Sequence, residues 1–144
     1  MEAVATNTKS TVISTLRYKN APAAIEWLCH ILGFERHAVY TGSDGTIAHA
    51  ELTLGGGMIM LGSQRDDAYG RGFKSPGEVG GVETRSAYVV VRDVDAIYAR
   101  AQAAGATIVR QINNTDYGSR EFGVKDPEGQ TWSVGTYDPW TERE

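Results

Sequence analysis

The chain states one structural unit twice. Residues 12 to 63 and 86 to 137 each run through a strand, a capped amphipathic helix closed by glycine, and further strands. In the first copy Val12 to Tyr18 predicts a strand, Asn20 a helix cap, Pro22 the helix's first turn and Gly33 its stop. Ile25, Leu28, Cys29 and Leu32 form its apolar face at helical spacing. In the second copy the strand is Ala87 to Val91, the cap Asp93, the apolar face Val94, Ile97, Ala101 and Ala104, and the stop Gly105. Three strand-like runs follow each helix. They are Glu35 to Tyr40, Thr46 to Leu54 and Met58 to Leu61, then Thr107 to Arg110, Ser119 to Val124 and Thr131 to Tyr137. Turn-forming residues separate them, including Gly42-Ser43-Asp44-Gly45 and Asp126-Pro127-Glu128-Gly129.

A βαβββ unit this short cannot bury both faces of its sheet, so the two copies are expected to pair within one domain or an exchanged dimer. The expected architecture is α+β. It is a single domain over residues 1–144, built from modules at about 10–63 and 86–138 joined by the long loop 64–85. That loop holds five glycines and many charges. It reads either as a solvated crossover or as a lid, with Tyr69 and Phe73 available to close over a cavity.

Composition narrows the function classes. A net charge of −4 over 144 residues lacks the basic surface that nucleic acid requires. No apolar run approaches the roughly 18 residues of a membrane span, and the amino terminus does not resemble a signal peptide. One cysteine, Cys29, excludes an internal disulfide framework and points to the cytoplasm; on the apolar helix face it reads as a small buried hydrophobe.

Three segments together carry a resemblance: Leu16-Arg17-Tyr18-Lys19-Asn20-Ala21 with Leu32-Gly33-Phe34, Val91-Arg92-Asp93-Val94-Asp95-Ala96 with Ala104-Gly105-Ala106, and Asp126-Pro127-Glu128-Gly129-Gln130-Thr131-Trp132. In this order they resemble the glyoxalase, bleomycin resistance protein and extradiol dioxygenase group, the vicinal oxygen chelate superfamily, over nearly the whole chain. The resemblance implies curved mixed sheets around a cleft that holds a small molecule, and commonly a homodimer. It also implies where metal ligands would stand in the metalloenzymes of the group. Those positions fall near Ile13, Ser86, Ser133 and within Met58 to Gly62, where this chain has no His or Glu. Residues 50 to 144 contain no histidine, so no metal or other cofactor is expected, with a divalent metal held by carboxylates such as Glu51 and Glu121 as the alternative.

Candidate site residues follow from alternation. His49 and Glu51 share one face of Thr46 to Leu54, opposite Ala48, Ala50, Leu52 and Leu54, and would form an acid/base pair. Glu121 is roughly the repeat mate of Glu51. Two carboxylates meeting in a dry pocket would leave one resisting ionisation; the simpler reading pairs them with Arg17 or Arg120. Tyr18, Tyr117, Phe122, Trp132 and Tyr137 are candidate aromatic walls, Trp132 equally a core residue. His30 and His37 read as surface or interfacial histidines, and Trp140 as the seal of an interface or barrel edge.

Three functions remain open: a metal-free protein binding a small aromatic or amphipathic molecule, a metal-dependent lyase or dioxygenase, and a metal-free isomerase using His49 with Glu51 or Glu121. Whether the protein is an enzyme stays undecided at this point.

Overall fold

In a computed structural model, which describes residues 9–141, the first module opens with β1 (Ser14–Tyr18), whose last residue, Tyr18, is buried. That helix, α1 (Ala21–Trp27), starts where the Asn20 carboxamide accepts a hydrogen bond from the Ala23 N–H at 3.2 Å. Such a cap is worth about 1 kcal/mol. Residues Leu28–Leu32 continue it as one π-helical turn, and Gly33 closes it in the left-handed region at φ 90°. The wider turn changes which residues face inward. Ile25, Leu28, Ile31 and Leu32 are buried, whereas Cys29, expected inside, is only half-buried. Burial still pushes its thiol pKa up, opposed by the nearby Arg36 charge.

Three strands complete the module: β2 (Glu35–Thr41), β3 (Ile47–Leu54) and β4 (Gly57–Ser63). The sheet order is β1-β4-β3-β2, parallel between β1 and β4 and antiparallel elsewhere. Ala50, Leu52 and Leu61 join Tyr18 and the helix residues in the core. A register shift near the start of β3 places Thr41 opposite Ile47 and Tyr40 opposite His49. It breaks the expected alternation there, burying Ile47 and exposing Ala48.

The second module repeats this plan with β5 (Ala87–Val90), α2 (Val94–Ala103), β6 (Thr107–Asn114), β7 (Arg120–Lys125) and β8 (Thr131–Gly135), in the order β5-β8-β7-β6. The Asp93 carboxylate caps α2 by accepting from the Ala96 N–H at 3.2 Å. Val94, Ile97 and Ala101 are buried against Phe122, Val124, Trp132 and Val134. Ala104, expected on that face, is exposed because the helix ends one residue earlier. The Asp126-Pro127-Glu128-Gly129 hairpin turns on buried Asp126. Its carboxylate accepts from the backbone of Glu128 and Gln130, each at 3.0 Å, and from the Trp132 indole at 3.1 Å.

Two four-stranded mixed sheets with short helices make the chain α+β, and it divides into two compact units between Lys74 and Ser75. The connection is therefore shared between them. Its first part folds within the first unit, where Gly70 donates to Asp67 at 2.6 Å and packs on the Arg65 backbone. Its second part lies along the β7–β8 hairpin: Glu83 accepts from the Thr131 N–H at 2.8 Å, and Gly129 packs beside Pro76 and Gly77.

Candidate functional site

The second module gathers four donors around one carboxylate. Glu121 sits on β7 with only 3% of its surface exposed. It accepts from the Tyr117 hydroxyl at 2.8 Å, the Ser119 hydroxyl at 2.9 Å, Arg110 Nη2 at 3.2 Å and the Tyr88 hydroxyl at 3.3 Å. Local rules bring these groups together. Ser119 and Glu121 are two residues apart on one sheet face, and β6 runs antiparallel beside β7, carrying Arg110. On β8 the residue opposite Glu121 is Gly135. A Cβ there would lie 2.6 Å from both Glu121 Cγ and the Tyr88 hydroxyl, so the missing side chain makes the space the network fills.

Above the network lies a cavity of about 600 Å³ lined by Tyr88, Arg110, Tyr117, Glu121, Ser133, Tyr137 and Pro139. The Tyr117 and Tyr137 rings meet edge to face at 5.7 Å. Tyr88 also donates to the Tyr137 carbonyl at 3.1 Å.

Electrostatics fix the protonation of this group. Burial pushes the Glu121 pKa up, but the hydrogen bonds from Tyr117, Ser119 and Arg110, with the Arg110 charge, outweigh it and hold the carboxyl below its ordinary range. The Tyr88 pKa is raised by burial foremost and by the Glu121 charge. The Tyr117 pKa is raised chiefly by the hydrogen bond it donates to Glu121. A carboxylate so held is an anchored anion and a poor proton donor at neutral pH. The expected proton-retaining carboxyl is thus not Glu121, and its cationic partner is Arg110 rather than Arg17 or Arg120.

The first module presents a more open cluster on the sheet face turned away from α1. His49 Nε2 and Glu51 Oε2 are 2.9 Å apart, and His37 Nε2 lies 3.9 Å from the other Glu51 oxygen. The His49 ring stacks on Tyr40 with centroids 6.1 Å apart. The His49 and Glu51 side chains remain 41% and 27% exposed. Arg17 stands on the same face, its guanidinium over Gly62 and its Nη1 3.4 Å from the Ser63 carbonyl.

Register also corrects the repeat correspondence. Leu16 and Val89, each four residues before a cap, pair with Leu61 and Val134, which pair with Ala50 and Phe122. His49 is therefore the counterpart of Glu121, and Glu51 that of Gly123.

The structure separates the remaining candidates. Tyr18, Phe122 and Trp132 are fully or almost fully buried in the module cores, Phe122 against the Tyr98 ring of α2 and Trp132 tied to Asp126, so none lines the cavity. Arg120 points to the helix side, where it binds Asp95 through Nε and Nη2 at 3.0 to 3.2 Å. Tyr69 and Phe73 pack on each other at 5.1 Å in the connection. Trp140, expected to seal an interface or edge, is 91% exposed within the chain, and His30 is exposed. Tyr88, Arg110 and Ser119 escaped the sequence reading. Their signals were present, since Tyr88 alternates with inward Val89 and Ser119 shares a face with Glu121; Arg110 lay in the expected strand, but the register that sets it beside β7 is not recorded in one strand's pattern.

Among the described residues no group of three His, Cys, Asp or Glu side chains is placed to hold a metal ion. The positions that the resemblance assigns to metal ligands, near Ile13, Ser86 and Ser133 and within Met58 to Gly62, offer hydroxyls, thioethers and alkyl groups in place of imidazole and carboxylate. That donor set does not fit a divalent metal.

Residues 11–134 match the model of the glyoxalase/bleomycin resistance protein/dioxygenase superfamily. An uncharacterized protein of Mycobacterium tuberculosis strain H37Rv is 30% identical over 93% of this chain and 78% of its own. Among solved structures, TioX from Micromonospora sp. ML1 is similar at TM-score 0.69 and 29% identity, over 92% of this chain and all of TioX. The fosfomycin resistance protein FosX of Listeria monocytogenes shares the fold at TM-score 0.60 and 12% identity, over 90% of this chain and 92% of its own. With its two βαβββ modules and a matching span that covers both, the chain belongs to the glyoxalase/bleomycin resistance protein/dioxygenase superfamily.

Proposed function

We propose that the protein binds a small aromatic or amphipathic molecule, without a metal, in the tyrosine-lined cavity of the second module. The observation that carries this reading is the saturation of Glu121. Tyr117 and Ser119 spend their hydroxyl protons on a carboxylate already held ionised, and Tyr88 shares its own between that carboxylate and the Tyr137 carbonyl, so the cavity offers a ligand tyrosine rings and the remaining Arg110 donors. A wall of tyrosine rings around a carboxylate already answered by donors suits holding a planar molecule more than transferring a proton. The superfamily's resistance proteins, by their name, give the same direction. A panel of planar aromatic compounds titrated by calorimetry in the presence of EDTA tests it. Saturable one-to-one binding is expected, at least tenfold weaker in Tyr117→Ala; binding that appears only with added divalent cation contradicts it.

The His49–Glu51 contact at 2.9 Å favours a second reading, a metal-free isomerase in which Glu51 orients and activates the His49 imidazole as base. Any turnover that His49→Ala leaves unchanged removes it. The protein is further proposed to act in the cytoplasm, a compartment its single cysteine suits, and as a homodimer. Light scattering that finds only a 15.6 kDa species would reject the dimer.

A further inference from the structure

We infer that the first module carries an oxyanion site centred on Arg17, which takes the carboxylate or phosphate group of a small molecule. This site lies on different residues from the second-module cavity and does not depend on the ligand proposed there.

Three observations converge on Arg17. Its guanidinium is half-buried on the sheet yet forms no ion pair among the described residues, and its hydrogen bond to the Ser63 carbonyl is long at 3.4 Å. A guanidinium cannot shed its proton, and the N–H donors that Arg17 does not spend on Ser63 stay accessible to an incoming anion. The fold also makes room for it. Gly62 lies opposite Arg17 across β1 and β4, and a Cβ at Gly62 would collide with Nη1 and stand 3.1 Å from the Ala48 carbonyl. Finally, Glu51, the carboxylate on this face, meets His49 at 2.9 Å and makes no ion pair with Arg17. A planar cation seated over a glycine, with accessible N–H donors, is an arrangement that recognises a carboxylate or phosphate.

The test uses the full chain, isotope-labelled, titrated at constant pH and ionic strength with inorganic phosphate and separately with acetate, chloride making up the balance. Saturating amide shifts centred on Ala48, Gly62 and Ser63 are expected. Saturation by phosphate alone identifies a tetrahedral oxyanion, and saturation by acetate a carboxylate; either supports the site. Arg17→Gln should weaken binding at least tenfold, whereas Arg120→Gln, which removes a charge elsewhere, should change it less than twofold. Gly62→Ala keeps the charge but occupies the guanidinium's place, and should weaken binding at least threefold even if Arg17→Gln fails to fold. Linear, unsaturable shifts, shifts centred on Arg110 and Gly123, or equal affinity in both Arg17→Gln and Gly62→Ala would overturn the inference.

Discussion

The two modules share one chain path and use it in opposite electrostatic senses. At matched positions the first has Arg17, His49 and Gly62 where the second has Val90, Glu121 and Gly135. Each glycine makes room for a charged side chain on the sheet face away from the helix, a guanidinium in one case and a carboxylate in the other. In the second module that charge is enclosed and answered by four donors; in the first it is half-buried and has no ion-pair partner among the described residues. A repeated backbone thus fixes where a charge can sit, and the neighbouring side chains decide whether it becomes a closed structural network or an open site.

The comparison breaks most visibly at Glu121. Glu121→Leu should destabilise the protein by about 3 kcal/mol or more, because it strands Arg110 and three hydroxyls around an apolar side chain. Glu51→Leu should cost less than about 1 kcal/mol, since its histidine partners reach solvent. Urea titrations of both variants measure the difference, and equal losses would dissolve the contrast between closed and open clusters.

Gly135→Ala comes next, at about 1 to 3 kcal/mol, because its Cβ enters the space held by Glu121 and Tyr88. Gly62→Ala should cost less, since the end of a long arginine can swing away. Thermal melts of the pair rank them.

A smaller effect is expected from Tyr117→Phe, which removes the hydroxyl 2.8 Å from Glu121 and should cost about 1 kcal/mol. It also exposes the pH dependence. The Glu121 pKa is lower folded than unfolded, so its contribution is present above the unfolded value and is lost as pH falls through the folded one. Acid unfolding should therefore begin at higher pH in Tyr117→Phe than in the wild type. An unchanged acid limb would mean that this hydroxyl does not help hold the carboxylate ionised.

Much of the fold was legible because local chemistry dictates it. Asn20 and Asp93 cap helices through their own side chains, Gly33 and Gly105 end them, and Asp126 organises the last hairpin. The site was legible only in part. Alternation correctly put His49 with Glu51, and the resemblance correctly supplied the superfamily. The π-helical turn that half-exposes Cys29 and the shifted register near Ala48 come from packing and strand pairing, which a single strand's pattern does not record. The same limit placed Glu121 opposite the wrong repeat partner and left Arg110, inside the expected strand, without its place beside Glu121. Phe122 and Trp132 were equally ambiguous: period two groups residues by face, but which face meets the helix is settled by the whole sheet.

Metal-free binding of an aromatic ligand in the second module's cavity is best tested by amide NMR of the wild-type protein with a planar aromatic ligand in excess EDTA. Saturating shifts at Tyr88, Arg110, Tyr117 and Tyr137 are predicted. Shifts that appear only once a divalent cation is restored, or that spare these residues, would contradict it.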